Sequence, residues 1–224
     1  MCGRFTLTKV DRLPKRFNLQ QPELPLTPRY NVAPTQVMPV ILRDEAEKNQ
    51  LEWFKWGLVP FWSKEPKSGY STINARAEGI ADKPAYRKPI RSQRCLIPSD
   101  GFYEWQKTGT GKQPFYIHLK SAELFGFAGL YDIYRDRDGN ELKTFTIITT
   151  EANDLVAPIH NRMPVILRAQ DEAEWLDPTI NDPFQVTRLL QPYPAEFMEL
   201  YPVSRKVNAV ANDVPEILET VNSA

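Results

Sequence analysis

The chain has 224 residues, with 28 basic and 28 acidic side chains, 20 prolines and 10 glycines. Zero net charge excludes a protein that coats polyanions by bulk attraction, though not one with a local basic groove. A hydrophobic share of 42% with 11% aromatics excludes a disordered chain, and no apolar run nears the ~20 residues of a membrane-spanning helix.

No linker divides the chain, so residues 1–224 are read as one domain. The start, MCGRFTLTK, lacks the apolar core of a signal peptide. A cytoplasmic protein is expected, in which Cys2 and Cys95 stay reduced. Residues 9–18 predict a short helix, with Pro14 near its first turns. Residues 19–36 are proline-rich and predict a wrapped loop. Residues 37–42 and 51–56 predict strands across a polar connection, and residues 57–72 a long loop. Residues 84–92 predict a helix, followed by two short strands in RCLIP and GFYEW. Residues 115–119 alternate as a half-buried strand does. Residues 125–131 and 145–149 are rich in aromatic and β-branched side chains and predict strands. An Asp-Gly turn signal lies between them. Residues 153–159 predict a turn or two of helix, and 163–167 a strand. Helices are expected over 169–176 and 182–191, the second capped by Asp182 with Pro183 first inside. A last helix is expected over 213–220. The sum is an α+β domain weighted to β, with peripheral helices.

Cys2 is the first candidate for chemistry. Once Met1 leaves, residue 2 carries an α-amine and a thiol on adjacent carbons. Their unperturbed pKa values are about 7.7–8.0 and about 8.5. Such a pair condenses with an aldehyde to an imine, which the thiol closes to a thiazolidine. It can also act as an acyl-transfer nucleophile with its own amine as base. The alternative is an inert, buried cysteine.

In GFYEW, an extended backbone puts Phe102 and Glu104 on one face, Tyr103 and Trp105 on the other. A carboxylate among aromatics invites desolvation and acid–base use; the alternative is a solvated or ion-paired Glu. His160, in the loop APIHNRMP, is a candidate for proton transfer or a histidine bonded to loop backbone. His118 falls on the polar phase of its strand and is expected to be exposed. In INARAE, Asn74 and Arg76 share a face. Asn both donates and accepts, and the fork of Arg suits phosphate. Trp53, Trp56, Phe61 and Trp62 lie upstream, and aromatics near arginines suit stacked bases. Trp53 and Trp56 are expected in the core instead. Arg87, Lys88, Arg91 and Arg94 crowd one segment, while Asp213, Glu216 and Glu219 make the end acidic. No metal-spaced Cys/His cluster, dinucleotide loop, phosphate loop, GxSxG or HExxH occurs, so no metal or cofactor is expected.

MCGR, YNVAP (30–34), INARAE (73–78), GFYEW (101–105), IHNRMP (159–164) and PVSRKVN (202–208), in this order, resemble the SOS response-associated peptidase family from residue 1 to about 210. The resemblance implies a β-rich domain with a barrel-like sheet core and a basic channel for single-stranded DNA. It implies removal of Met1, by self-cleavage or by an aminopeptidase, and a covalent thiazolidine crosslink from Cys2 to the aldehyde of an abasic site, which shields the lesion; strand-cleaving lyase action is a side reaction. The matching positions are Cys2, Asn74, Glu104 and His160 for catalysis. Arg4, Arg76 and Arg162 fall in matching motifs and are expected at DNA phosphates, Asn31 is expected to support the pocket for DNA, and Trp62, outside the motifs, is counted with them as a stacking aromatic. A monomer with no membrane or metal partner is expected. Two alternatives stay open: an N-terminal-nucleophile amidohydrolase using Cys2, and a non-catalytic single-strand DNA binder.

Overall fold

A computed structural model describes residues 2–20, 26–44, 46–66, 72–109 and 111–221. Its strands are β1 (Phe5–Leu7), β2 (Arg29–Val32), β3 (Val37–Arg43), β4 (Asn49–Trp56), β5 (Asn74–Arg76), β6 (Arg94–Ser99), β7 (Gly101–Thr108), β8 (Gly111–Leu119), β9 (Phe125–Arg135), β10 (Glu141–Glu151), β11 (Arg162–Pro164) and β12 (Met198–Pro202). Four short α-helices lie outside the sheets: α1 (Leu13–Arg16), α2 (Pro89–Ser92), α3 (Glu172–Leu176) and α4 (Pro183–Thr187).

β10, β4, β3, β6 and β9 follow one another in a sheet, and β9 pairs back onto β10, closing a five-stranded barrel. A second sheet runs β12-β8-β7-β1-β2. Its inward residues Phe5 and Phe102 pack against Phe127 and Trp56 of the barrel strands, with ring centroids 5.2 to 6.1 Å apart. Each such buried aromatic contributes on the order of 2 kcal/mol by area alone, so this seam joins the sheets into one core. The opposite face of the second sheet is covered by the C-terminal segment, where Val203, Val207 and Ile217 bury Tyr103 and Tyr116.

β10 is long and outlasts its neighbours. Its first part pairs with β9 and, at Thr144 and Phe145, in parallel with β4. Gly57, at φ 122°, takes the chain out of β4 in a conformation a side chain would resist. The chain returns as β5, which pairs with Ile147–Thr149 of β10 on the line that β4 vacated. β11 likewise succeeds β9 on the other edge, at Thr149–Glu151. The end of β10 is thus flanked by Asn74 and Arg76 on one side and Arg162 on the other.

β1 is held by a buried carboxylate. Asp100 accepts hydrogen bonds from the hydroxyls of Thr6 and Thr8 and from the backbone N–H groups of Thr8 (2.8 Å) and Lys9 (3.1 Å). Four donors on one carboxylate fix the strand that follows Cys2.

Several sequence expectations change. The loop expected over 19–36 contains β2, which forms because Asp213 accepts the N–H groups of Tyr30 and Asn31 from across the chain; part of that loop, residues 21–25, lies outside the described residues, as do 67–71 of the loop expected over 57–72. The helix expected over 84–92 is only α2, ended at its C-cap Gln93 by the strand β6. The helix of 182–191 is the shorter α4, still capped by Asp182, which accepts from the N–H of Phe184 (3.0 Å). The last helix is one 3-10 turn, Pro215–Leu218. Trp53 is not core but 47% exposed, because Phe54 and Trp56 take the inward phase of β4. Arg94 is not a groove residue: it is buried, its fork donating to the carbonyls of Ile90, Arg91 and Asp177 and its Nε to Trp175. His118 is not exposed: its ring stacks on Tyr116 and meets Tyr201 edge-on, 5.3 and 5.7 Å away.

Candidate functional site

Cys2 lies fully buried just before β1. Its carbonyl accepts a hydrogen bond from Asn74 Nδ2 at 2.8 Å, linking the chain start to β5. Its Sγ lies 3.8 Å from the carbonyl oxygen of Arg4. Asn74 Oδ1 is buried without a hydrogen-bond partner among the described residues, an acceptor beside the Cys2 backbone. Met1 lies outside the described residues.

Glu104 comes to Cys2 through strand register. Phe5 faces Phe102, and the N–H of Tyr103 donates to the Arg4 carbonyl (3.0 Å), so the next step along β7 carries Glu104 toward the chain start. The expected parity holds: Phe102 faces the main core and Tyr103 the opposite cluster. Glu104 follows Phe102 inward and is buried. Burial pushes the Cys2 thiol far above its ordinary range, and the negative charge of Glu104 pushes it further. At neutral pH the sulfur rests as a thiol. Glu104 thus lies close enough to Cys2 to act on the sulfur through its charge.

A cleft of about 410 Å³ opens beside this group. Gly3 and Ile73, the neighbours of Cys2 and Asn74, form part of it; Pro34, Trp105 and Val210 form its walls. His160 stands just ahead of β11 and accepts the N–H of Arg162 on Nδ1 (3.0 Å). Its loop is tethered to the Glu104 strand, because Gln106 Nε2 donates to the Pro158 carbonyl (3.1 Å). Cys2, Asn74 and Glu104 therefore form one group, with His160 joined to it through the loop.

The residues expected at DNA separate into two kinds. Arg4 donates to Asn31 Oδ1 (3.0 Å) and to the carbonyls of Val207 (2.8 Å) and Asn208 (3.3 Å). Asn31 is buried, and its Nδ2 donates to the carbonyls of Val207, Ala209 and Asn212. Both residues thus fasten the strap 204–213 beside Cys2. Trp105 joins them, its Nε1 donating to Asn208 Oδ1 (2.8 Å). Arg76 and Trp62, by contrast, are exposed. Arg162 pairs with Glu78 through two bonds, 2.6 and 2.9 Å. Sequence reading missed the strap as a wall of the cleft. Its trace was the run NAVAND, whose Asn and Asp side chains favour bonding to backbone. Among the described residues no group of three or more His, Cys, Asp or Glu side chains is placed to hold a metal.

Residues 1–210 match the model of the SOS response associated peptidase (SRAP) family. The chain belongs to the SRAP family. It is 49% identical over 224 residues to abasic site processing protein YoqW of Bacillus subtilis, covering 98% of this chain and 100% of that one. It is 35% identical to abasic site processing protein HMCES of Gallus gallus, over 85% of this chain and 66% of the other. A crystal structure of a Bacteroides thetaiotaomicron protein superposes with a TM-score of 0.88 at 32% identity, over 99% of this chain and all of that one. The closed barrel with its flanking sheet is thus the SRAP fold.

Proposed function

We propose that this protein processes abasic sites in single-stranded DNA by capturing them covalently through Cys2. Relatives that align along nearly the whole chain are named for abasic site processing, and this supports the substrate class. The observation that carries the chemistry is the grouping of buried Cys2, whose neighbour Gly3 lines the cleft, with Asn74 and Glu104.

After Met1 is lost, the α-amine of Cys2 attacks the aldehyde of the opened sugar, and loss of water leaves an imine. The thiol then adds to the imine carbon, its proton passes to nitrogen, and a thiazolidine closes. Because the thiol pKa is raised, a base must take the sulfur proton, and Glu104 is that base. Asn74 Oδ1 holds the amine, while His160 carries protons for the dehydration. The imine alone would favour elimination of phosphate and strand cleavage. Ring closure outruns it, because well-oriented neighbouring groups act at effective concentrations on the order of 10⁵ M or more. An abasic nucleotide in a single strand enters the cleft without breaking a base pair. The protein acts as a cytoplasmic monomer.

Intact mass with and without an abasic-site oligonucleotide tests this. The expected protein lacks one methionine residue and gains the mass of the strand less water, and Cys2→Ala loses the adduct. An undiminished Cys2→Ala adduct sinks the mechanism. Glutamine hydrolysis that disappears in Cys2→Ala, with no adduct in the wild type, reassigns Cys2 to amide chemistry.

A further inference from the structure

Two cations, Lys83 and Arg162, gather at one carboxylate, Glu78, and Arg76 stands beside Lys83. Both oxygens of Glu78 accept from the fork of Arg162. The partners differ in freedom: the Arg162 side chain is 12% exposed and that of Glu78 58%. Arg162 is held a second time, its Nη2 donating to the Thr149 carbonyl at 2.6 Å, so the fork keeps its aim without Glu78. The backbone around Glu78 is pinned as well. Lys83 Nζ donates to the carbonyls of Glu78 (2.8 Å) and Arg76 (3.2 Å), and the Ala77 N–H to Thr149 (2.9 Å). Only the Glu78 carboxylate is at liberty to leave. Arg162 Nε, meanwhile, is buried with no hydrogen-bond partner among the described residues, a donor to spare. The cluster keeps a surplus of positive charge in a chain whose net charge is zero. It adjoins His160, which takes the Arg162 N–H.

We propose that Glu78 is a resident stand-in for a DNA backbone phosphate, holding Arg162 in the free protein and yielding it to a phosphate of the bound strand. This rests on the DNA-capture reading above. The exchange is like for like: a phosphate offers the same paired oxygens, and a guanidinium fork takes either group bidentately. The departing carboxylate is exposed and regains water readily. In the free protein the paired charge attracts stray polyanions less, so a strand engages Arg162 only when a phosphate is delivered to the fork itself.

The consequence is visible in salt. Each phosphate neutralised on a single strand contributes about −0.7 to the slope of log K against log salt. Arg162 arrives already neutralised, so its contact is hidden from that slope. Fluorescence anisotropy with a single-stranded oligonucleotide carrying a reduced abasic sugar, which has no aldehyde, reads binding without crosslinking. Glu78→Gln is expected to bind about two- to five-fold more tightly at low salt, the worth of an exposed ion pair, and to steepen the slope by about 0.7. In an Arg162→Gln background, Glu78→Gln is expected to change neither. Glu78→Gln that melts like the wild type yet binds no more tightly overturns the proposal. So does a gain that persists without Arg162, because it reports general charge only. Wild-type protein that ignores the oligonucleotide at every salt concentration sinks the DNA-capture reading itself; wild type that binds it, with Glu78→Gln indistinguishable, sinks only the role of Glu78.

Discussion

Replacing Arg4 by methionine keeps the side-chain stem and deletes the fork, which decides between a strap pin and a phosphate ligand. The fork donates to Asn31 Oδ1, Val207 O and Asn208 O at 3.0, 2.8 and 3.3 Å. Asn31 is fully buried, so its Oδ1 loses a charged donor where water has poor access; an orphaned buried acceptor costs about 1–3 kcal/mol. The Val207 carbonyl keeps a second donor in Asn31 Nδ2, at 3.1 Å. The Asn208 carbonyl belongs to an exposed residue and turns to solvent. These two losses together add about 1 kcal/mol or less, for a total of about 1–4 kcal/mol. That is a large share of the 5–15 kcal/mol that typically holds a domain. With a typical urea m-value near 2 kcal/mol/M, the unfolding midpoint should fall by about 0.5–2 M. Limited proteolysis should cut the variant first within 204–213. If Arg4 serves mainly as a phosphate ligand, the urea midpoint will hold while the salt slope of DNA binding shrinks by about 0.7. That pattern refutes the pinning argument.

Glu104→Gln is expected to move two readouts in opposite directions. Loss of the neighbouring charge lowers the Cys2 thiol pKa, seen as alkylation beginning at lower pH, while abasic adduct formation slows for want of a base. Adduct formation at the wild-type rate denies Glu104 that task. Gly101→Ala should destabilise by about 1–3 kcal/mol in urea unfolding, because an added Cβ would sit 2.1 Å from the hydroxyl oxygen of Tyr116, itself 3.0 Å from the Thr6 hydroxyl; an unchanged midpoint shows slack at the β1–β7 junction. Stability should fall steeply in alkali. Burial raises Cys2, Cys95, Tyr103 and Tyr116, and pushes Tyr131 up to about 12. The unfolded chain therefore loses these protons first, its thiols from about pH 8.5 and its phenols from about 10. Each group fully ionised only when unfolded removes about 1.4 kcal/mol per pH unit. Urea midpoints level between pH 8 and 11 contradict this.

What the sequence determined by itself was local. Alternation in 115–119, and the β-branched and aromatic runs of β9 and β10, announce strands because a pleated backbone has a period of two. The parity of Phe102 and Glu104 follows from the same rule. Asp182 and Pro183 mark a helix start because their side chains act on their own backbone. The aminothiol chemistry of Cys2 is legible too, since it belongs to one residue. What only the tertiary structure decided depends on partners far away in the chain. β2 looks like a proline-rich loop until Asp213 satisfies its N–H groups. Trp53 looks like core until the phase of β4 gives the interior to Phe54 and Trp56. Arg4, Arg94 and Arg162 are alike as letters, but one pins a strap, one binds helix-end carbonyls and one grips a movable carboxylate. A charge in a sequence announces that it needs a partner. Only the folded chain supplies that partner and the dielectric around it, and those two decide whether the charge is structure or site.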